Sequence, residues 1–573
     1  MRDTKEKNGI TIKAYAGTTG VLAAFNVTDA KRKGLLGFSI ERRDPKTKKW
    51  EWMSGMMPFP GQAHDAGALI PTDLAPIQKF RWSDYRVHPE TTYRYRVHGM
   101  YGTPAKPELL EGPEVEVTTS SSDDDGTHNV LFNRAAGASQ AFLRNFPKAV
   151  ELMEDKRKHG GFAKLTVDDL EKVAPGCKAW LTRGVLPQIL SVIAAAKDSK
   201  WALDIAIYEY EWHEIVEAVD AAAKRGVHIR LLYHSKTKDK QTKENEDNAE
   251  QLIKDGQAKE RKTSAIFHDK FIVLSKAAKT AAGLGRKPVS VSCGSTNFTH
   301  NGLFRQANVV HVVRTAKGET SNPTAERYEL LFETIWNGDG NAALTTKETK
   351  KWITANNPME PDNPLFAGFS PRSGKGDLAY FIKLIEAAKS DVLFSTAFVL
   401  PTEIISALIG KAGDPILRLG IQNTNANDIA GFHRDRTAQF AATALFEHGF
   451  EGWLKEATIV GAGNILIHTK MVVVDFTSDS PVIISGSHNL SGPASESNDE
   501  NYLVIQGNTD LADSYGVEVM RIYDHYRARW VAQEIAKKKC PGGGFLRPSD
   551  KWTDRYFKKD SLHFRDRLRF IGS

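Results

Sequence analysis

Cysteine is scarce: Cys177, Cys293 and Cys540 are the only three in 573 residues. That number excludes a disulfide-stapled scaffold, and their spacing matches no zinc site. Long apolar runs are missing too. No stretch approaches the ~18 uninterrupted apolar residues of a spanning helix. The first residues, MRDTKEKNGITIK, hold no apolar segment of a secretory signal. A protein of a reducing compartment is expected, with a cytoplasmic location. A strong excess of one charge is also lacking, since 77 basic residues face 70 acidic ones for a net +7. Hydrophobic residues at 41% and charged residues at 26% exclude a wholly disordered chain.

The length predicts three or four domains, or two large ones, at ~100–200 residues each. Residues 1–120 read as β, with short strands of period-two alternation between turn signals. Within them a proline turn, Val87-His88-Pro89-Glu90, leads to a strand whose Tyr93, Tyr95 and Val97 share one face. This resembles the fibronectin type III domain, where such a tyrosine closes a corner of the sandwich. The resemblance implies a binding or spacer module, one that binds a protein partner or packs on the rest of the chain. An insertion is expected around Met53–Gln78. The polar, acidic run 118–126 has no periodicity and marks a boundary.

From His128 onward, helical and strand-like segments alternate. The helix at Leu186–Lys197, the strand ALDIAIYEY, the helix at Trp212–Arg225 and the strand VHIRLLYH predict βαβ units. The second half repeats the scheme, with Ile385–Lys389 before VLFSTAFVL answering Ile193–Lys197, and ILRLGIQN answering VHIRLLYH. Self-similarity on that scale means a duplicated domain. The expected architecture is an all-β sandwich over 1–120 followed by two α/β lobes, 128–340 and 364–573, with mixed sheets and helices on both faces. The charged stretch Lys236–Lys262 nearly balances its signs and is expected to be a solvated, mobile loop or helix.

Each half carries one chemically distinctive segment. In the first it is Phe267-His268-Asp269-Lys270 with Gly294-Ser295-Thr296-Asn297, and in the second Ile467-His468-Thr469-Lys470 with Gly486-Ser487-His488-Asn489. Two residues apart on a strand, each His and Lys would leave the same face. Two such copies facing each other offer two imidazoles, two ammoniums and two amides around one point. That set suits a tetrahedral phosphate. The lysines and asparagines hold its oxygens, one histidine attacks phosphorus and the other protonates the leaving oxygen. No metal or other cofactor is called for.

These segments resemble the HKD motifs of the phospholipase D superfamily, HxKxxxxD followed by GSxN, over about residues 128–573. The resemblance implies a metal-independent phosphodiesterase whose lobes form a pseudo-dimer and whose phosphoryl group passes through a covalent phosphohistidine. It assigns catalysis to His268, His468, Lys270, Lys470, Asn297 and Asn489. The pattern departs at Ser275, which stands where the motif has Asp; Asp475 fills that place in the second copy. The family also orients an active-site histidine with an acidic residue. Glu500 fits that role, whereas Ala307 in the first copy cannot, leaving Gln306 or Asn308 as a neutral partner. His268 is expected to be the nucleophile, Glu500 its orienter and His468 the general acid. Ser295, Ser487, Gln306, Asn308 and His488 are expected to line the substrate. Tyr208 and Glu209 are expected to be a satisfied pair at a strand end. Cys293 is read as a small buried residue.

Reaction type is more legible than substrate, because the fold hosts lipases, lipid synthases and nucleases. A nucleic-acid substrate, cleaved by an endonuclease, is favoured by the last 47 residues. These hold 13 basic and 5 acidic residues interleaved with Trp530, Phe545, Trp552, Tyr556, Phe557, Phe564 and Phe570. Basic groups neutralise phosphates and aromatics stack on bases. A basic tail packed on the last domain is the plainer alternative for that segment. Two motif copies in a chain of this size also resemble bacterial phospholipases D, so phospholipid head groups are the alternative substrate. With both motifs in one chain, catalysis requires no dimer.

Overall fold

The computed structural model describes the chain except residues 64–67, 135–139, 162–163, 264, 282, 339–345, 412–413, 424–428, 434–466, 537–543, 560 and 573. Its N-terminal part is all β. One four-stranded sheet runs in the order Arg2–Lys7, Ile10–Ala16, Val21–Val27 and Arg81–Asp84. The other runs Lys106–Thr119, Thr91–Thr103, Gly37–Arg43 and Trp50–Trp52. Alternation puts Tyr93, Tyr95 and Val97 inward on one strand, facing Val115 and Val117 on its neighbour. The Tyr93 hydroxyl accepts the His88 N–H at 2.9 Å and so closes the proline corner.

Each lobe is a seven-stranded mixed sheet with the same spatial order. In lobe 1 that order is His128–Phe132, Val309–Arg314, Gly283–Gly294, Lys270–Thr280, Trp201–Ile207, His228–Ser235 and Ala258–Lys262. In lobe 2 it is Leu365–Ser370, Glu500–Gln506, Val482–Gly486, Met471–Val474, Asp391–Thr396, Leu417–Asn423 and Ile429–His433. The strands that carry the pattern, such as Trp201–Ile207 and Asp391–Thr396, are buried almost throughout, which explains their unbroken apolar runs. The lobes differ at one edge: Ala258–Lys262 pairs parallel to its neighbour, Ile429–His433 antiparallel. Of the loop or helix expected for the charged stretch 236–262, the structure shows a helix. The stretch forms the helix Lys240–Lys254, capped by Asp239 and seated on buried Asn245, Ala249 and Leu252, and then the edge strand.

The lobes share one core. The helices Pro323–Trp336 and Thr509–Ala536 touch strands of both sheets. Tyr328 stacks edge-on between Phe271 of lobe 1 and Phe369 of lobe 2, with ring centroids 5.0 and 4.9 Å away. The β module joins the same core through Tyr15, Leu22 and Ala24. Its Arg2 guanidinium pairs with buried Asp513 at 2.9 Å, and the Tyr15 hydroxyl donates to the Phe570 carbonyl at 2.7 Å.

The C-terminal aromatics correct an expectation. Trp552 and Tyr556 are buried in the core of the β module, and Phe570 lies in the shared core. Trp552 Nε1 donates to the Leu35 carbonyl at 2.8 Å, and the Arg567 guanidinium lies 3.9 Å from the Phe557 ring centroid. Trp552, Tyr556 and Phe570 thus fill cores, whereas Phe545 is exposed and Phe557 and Phe564 are half-buried. The segment packs on the first domain and not only on the last. The side chain of Trp530 lies outside the described residues.

Candidate active site

The two HxK segments do not lie within strands, contrary to the expectation. Lys270 opens the strand Lys270–Thr280, and Lys470 stands just before Met471–Val474. The histidines precede those strands at a crossing between the lobes. There Phe267 forms a parallel bridge with Asp499, and Ile467 forms one with Ala307. The His268 N–H donates to the Asp499 carbonyl at 2.9 Å, and the His468 N–H to the Ala307 carbonyl at 3.0 Å. Each histidine is thus held by the lobe opposite its own. Below this crossing the buried Arg261 guanidinium grips both carboxylate oxygens of Asp499, at 3.1 and 3.2 Å.

The side chains repeat the exchange. His268 Nδ1 lies 2.7 Å from Glu500 Oε2, and His468 Nδ1 lies 2.8 Å from Asn308 Oδ1. Behind them, the Ser487 hydroxyl donates to Glu500 at 2.7 Å and the Ser295 hydroxyl to Asn308 at 2.8 Å. Asn308 therefore stands where Glu500 stands, and the neutral partner of the second imidazole is Asn308, not Gln306. The two rings meet edge to face with centroids 6.4 Å apart. With Nδ1 of each ring spent across the lobes, Nε2 is the nitrogen left for chemistry on each. Each lysine turns back on its own histidine, Lys270 Nζ donating to the His268 carbonyl at 2.6 Å and Lys470 Nζ to that of His468 at 2.7 Å.

Burial governs protonation here. It holds both imidazoles well below their ordinary value, helped by the two ammoniums, so the resting rings are neutral. It lowers Lys470 strongly and Lys270 to about 8, although Glu500 and Glu209 pull the lysines back up. It pushes Glu500 up to about 7. Asp269, inside the first motif, goes to about 8 through burial and the neighbouring carboxylate of Asp499; Asn501 donates to it at 2.8 Å. Asn501 in turn accepts the Tyr328 hydroxyl at 3.1 Å, which ties the motif to the inter-lobe core.

The family model for the cardiolipin synthase PLD-like domain matches the chain twice, over residues 189–336 and 381–523, just over half of its length. The chain belongs to this phospholipase D-like family. Both matches carry one HxK segment and its GSxN turn, so the phospholipase D-like pair lies in a single chain. The chain acts on phosphodiesters as a member of that superfamily. Among solved structures it is similar to Nuc, a phospholipase D family member from Salmonella typhimurium, at 21% identity over 28% of this chain and 91% of that one, with a TM-score of 0.21. It is similar to the phosphatidylserine synthase of Haemophilus influenzae at 13% identity over 69% and 94%, with a TM-score of 0.40. NucT from Helicobacter pylori matches at 19% identity over 26% and 87%, with a TM-score of 0.19. No curated protein sequence matches.

Two further expectations need correction in this phospholipase D-like site. His488 is no substrate contact: its Nε2 meets the Ser495 hydroxyl at 3.0 Å, its Nδ1 accepts the Leu490 N–H at 3.0 Å, and Phe381 and Tyr502 enclose the ring. Tyr208 and Glu209 do not pair with each other. Tyr208 lies 5.4 Å from the His268 ring and 5.2 Å from Lys270 Nζ, while Glu209 accepts the Asn297 amide. Phe398 answers Tyr208 in lobe 2, 5.8 Å from Lys470 Nζ and 6.3 Å from His468. The signal for these residues was their place just past the strands Trp201–Ile207 and Asp391–Thr396, which pair with the motif strands. The amide oxygens of both Asn297 and Asn489 are buried without a partner among the described residues.

The motif's last position explains another asymmetry. Asp475 receives the N–H groups of Lys389, Ser390 and Asp391 and the Ser390 hydroxyl. It ties the loop before the strand Asp391–Thr396 and stays away from the histidines. Ser275 holds the same place in lobe 1, and its buried hydroxyl has no partner. Among the described residues one cluster has a metal-binding arrangement, Asp168, His213 and Glu214. The Lys178 ammonium already bridges its two carboxylates.

Proposed function

We propose that the chain cleaves nucleic-acid phosphodiesters without a metal, through a phosphohistidine on His268. The observation that carries the chemistry is the 2.7 Å contact of His268 with Glu500 of the other lobe. A carboxylate on Nδ1 fixes the tautomer that leaves Nε2 free, and it stabilises the imidazolium character that develops on attack. Nε2 of His268 forms a bond to phosphorus as the bond to the leaving oxygen breaks. His468 gives that oxygen its proton. The entering phosphate supplies the negative charge that lets buried His468 hold a proton. Neutral His468 then takes a proton from water, the hydroxide attacks phosphorus, and His268 is released. Lys270 and Lys470 offset charge on the non-bridging oxygens throughout.

The nucleic-acid reading is supported by the net charge of +7 and by the surface. Among the exposed large apolar side chains, Leu109, Val173, Ile253 and Leu330 sit on separate elements. No described helix is long and apolar enough to cross a membrane. One observation favours phospholipid head groups instead: Val399, 55% exposed, follows Phe398 beside His468.

The test incubates the protein, His268→Ala and His468→Ala with plasmid DNA, single-stranded DNA, RNA and phosphatidylcholine vesicles in EDTA. Cleavage of nucleic acid that survives EDTA and disappears in both variants is the expected result. Choline release with nucleic acid intact would replace this substrate with the lipid one.

A further inference from the structure

Glu209 breaks the twofold likeness of the lobes. The strands Trp201–Ile207 and Asp391–Thr396 hold the same place in their sheets, with Ala206 opposite Phe271 and Ser395 opposite Met471, and each is followed by an aromatic beside its own lysine, Tyr208 and Phe398. Counted in that register, lobe 1 has Glu209 where lobe 2 has Phe398. The Glu209 carboxylate accepts the Nδ2 hydrogen bond of Asn297, a group that the motif resemblance assigns to a phosphate oxygen. Asn489, its counterpart, has no carboxylate partner among the described residues. The field of Glu209 also reaches both active-site lysines. A carboxylate that holds a phosphate-binding amide and faces both phosphate-binding ammoniums is an anion in an anion site.

We propose that Glu209 stands in for the substrate's phosphate in the resting site, and that a phosphodiester binds only as Glu209 gives up its charge by taking a proton. This rests on the phosphodiesterase reading. Two like charges close together in a site of low dielectric repel strongly, whereas a carboxylic acid does not. The groups facing Glu209 set its readiness. Glu211 on the same strand end, and Asp239 and Glu244 at and in the helix Lys240–Lys254, push it toward the acid, as does burial. Lys270 and the Asn297 amide oppose them. Once protonated, Glu209 can donate a hydrogen bond. The buried, unpartnered Asn297 Oδ1 accepts it if the amide turns over, and Nδ2 is then freed for a phosphate oxygen. Glu209 is thus a positioning residue that couples substrate affinity to pH.

The experiment titrates inorganic sulfate, a tetrahedral anion of constant charge from mildly acidic to mildly alkaline pH, into the full chain by calorimetry in buffers of differing ionisation heat. Wild type, Glu209→Gln, Glu209→Val and Asn489→Ala are compared. Wild type is expected to take up at least one proton per sulfate at alkaline pH, with affinity falling at least about tenfold per pH unit there. Glu209→Gln and Glu209→Val should take up about one proton fewer than wild type and show a correspondingly shallower slope, the remainder coming from Lys270. Both should bind about tenfold more tightly at the alkaline end and lower KM there more than they change kcat. Asn489→Ala should weaken binding and keep the slope, which locates the anion in this site. Equal affinity and equal proton uptake in wild type and both Glu209 variants would overturn the proposal and leave the phosphodiesterase reading intact. No sulfate binding by any of the proteins, together with no phosphohistidine on His268, would defeat that reading and the proposal with it.

Discussion

Glu500 Oε2 lies 2.7 Å from His268 Nδ1, although 232 residues and a lobe boundary separate them in the chain. The reciprocal contact, His468 to Asn308, is neutral. One imidazole is therefore paired with a carboxylate and the other with an amide, which divides the labour between them.

Glu500→Gln should keep the shape of the site and lose the correct tautomer of His268. Turnover is expected to fall about 10⁴-fold, the scale seen when a catalytic histidine loses its orienting carboxylate. Single-turnover kinetics should show slow phosphohistidine formation, with a melting temperature close to that of wild type.

Activity should follow a bell in pH. The nucleophile needs Glu500 ionised, so kcat/KM rises as pH climbs through about 7, where burial has moved that carboxyl. Phosphate binding needs Lys270 charged, so the rate falls again beyond about 8. The two limbs belong to coupled groups, and the maximum lies between them. A profile still rising at strongly alkaline pH would contradict this assignment.

Arg261→Ala leaves the Asp499 carboxylate buried beneath the crossing without its guanidinium. Breaking a buried pair by removing one partner costs about 3–5 kcal/mol. Denaturant unfolding should register that loss. Activity should fall as well, because the Asp499 carbonyl holds the His268 backbone.

Asp475→Ala separates support from chemistry. The N–H groups of Lys389, Ser390 and Asp391 lose their acceptor, with an expected cost of about 1–3 kcal/mol. Per folded molecule, kcat should stay within a few-fold of wild type, since lobe 1 already carries Ser275 at that place.

Trp552→Ala should destabilise the protein by about 3–5 kcal/mol, the usual loss for a buried tryptophan. At temperatures where the variant is folded, the salt dependence of DNA binding should match wild type, because the ring contacts Phe38, Phe80 and the Leu35 carbonyl and not solvent. A large drop in DNA affinity by the folded variant would restore the tail as a binding surface.

Local pattern made much of this readable. Apolar runs broken by helical spacing specify buried strands and covering helices. The recurrence of HxK with GSxN at matching places in both halves names eight of the polar groups around the site. The same reasoning failed where a residue's partner is remote. A basic, aromatic-rich tail reads alike whether its rings meet nucleic acid or fill a core. A histidine beside a glycine turn reads as available until Ser495 and Leu490 occupy both of its nitrogens.

Short-range periodicity and internal repetition, which are properties of the chain alone, determined the duplicated α/β lobes, the phosphate chemistry and the identity of the two histidines. Tertiary structure decided the pairings: Glu500 with His268, Asn308 with His468, Arg261 with Asp499, and Glu209 with Asn297. The physical reason is that each of these bonds joins residues brought together by the packing of separate strands and helices. Their strength comes from burial, which no local pattern encodes.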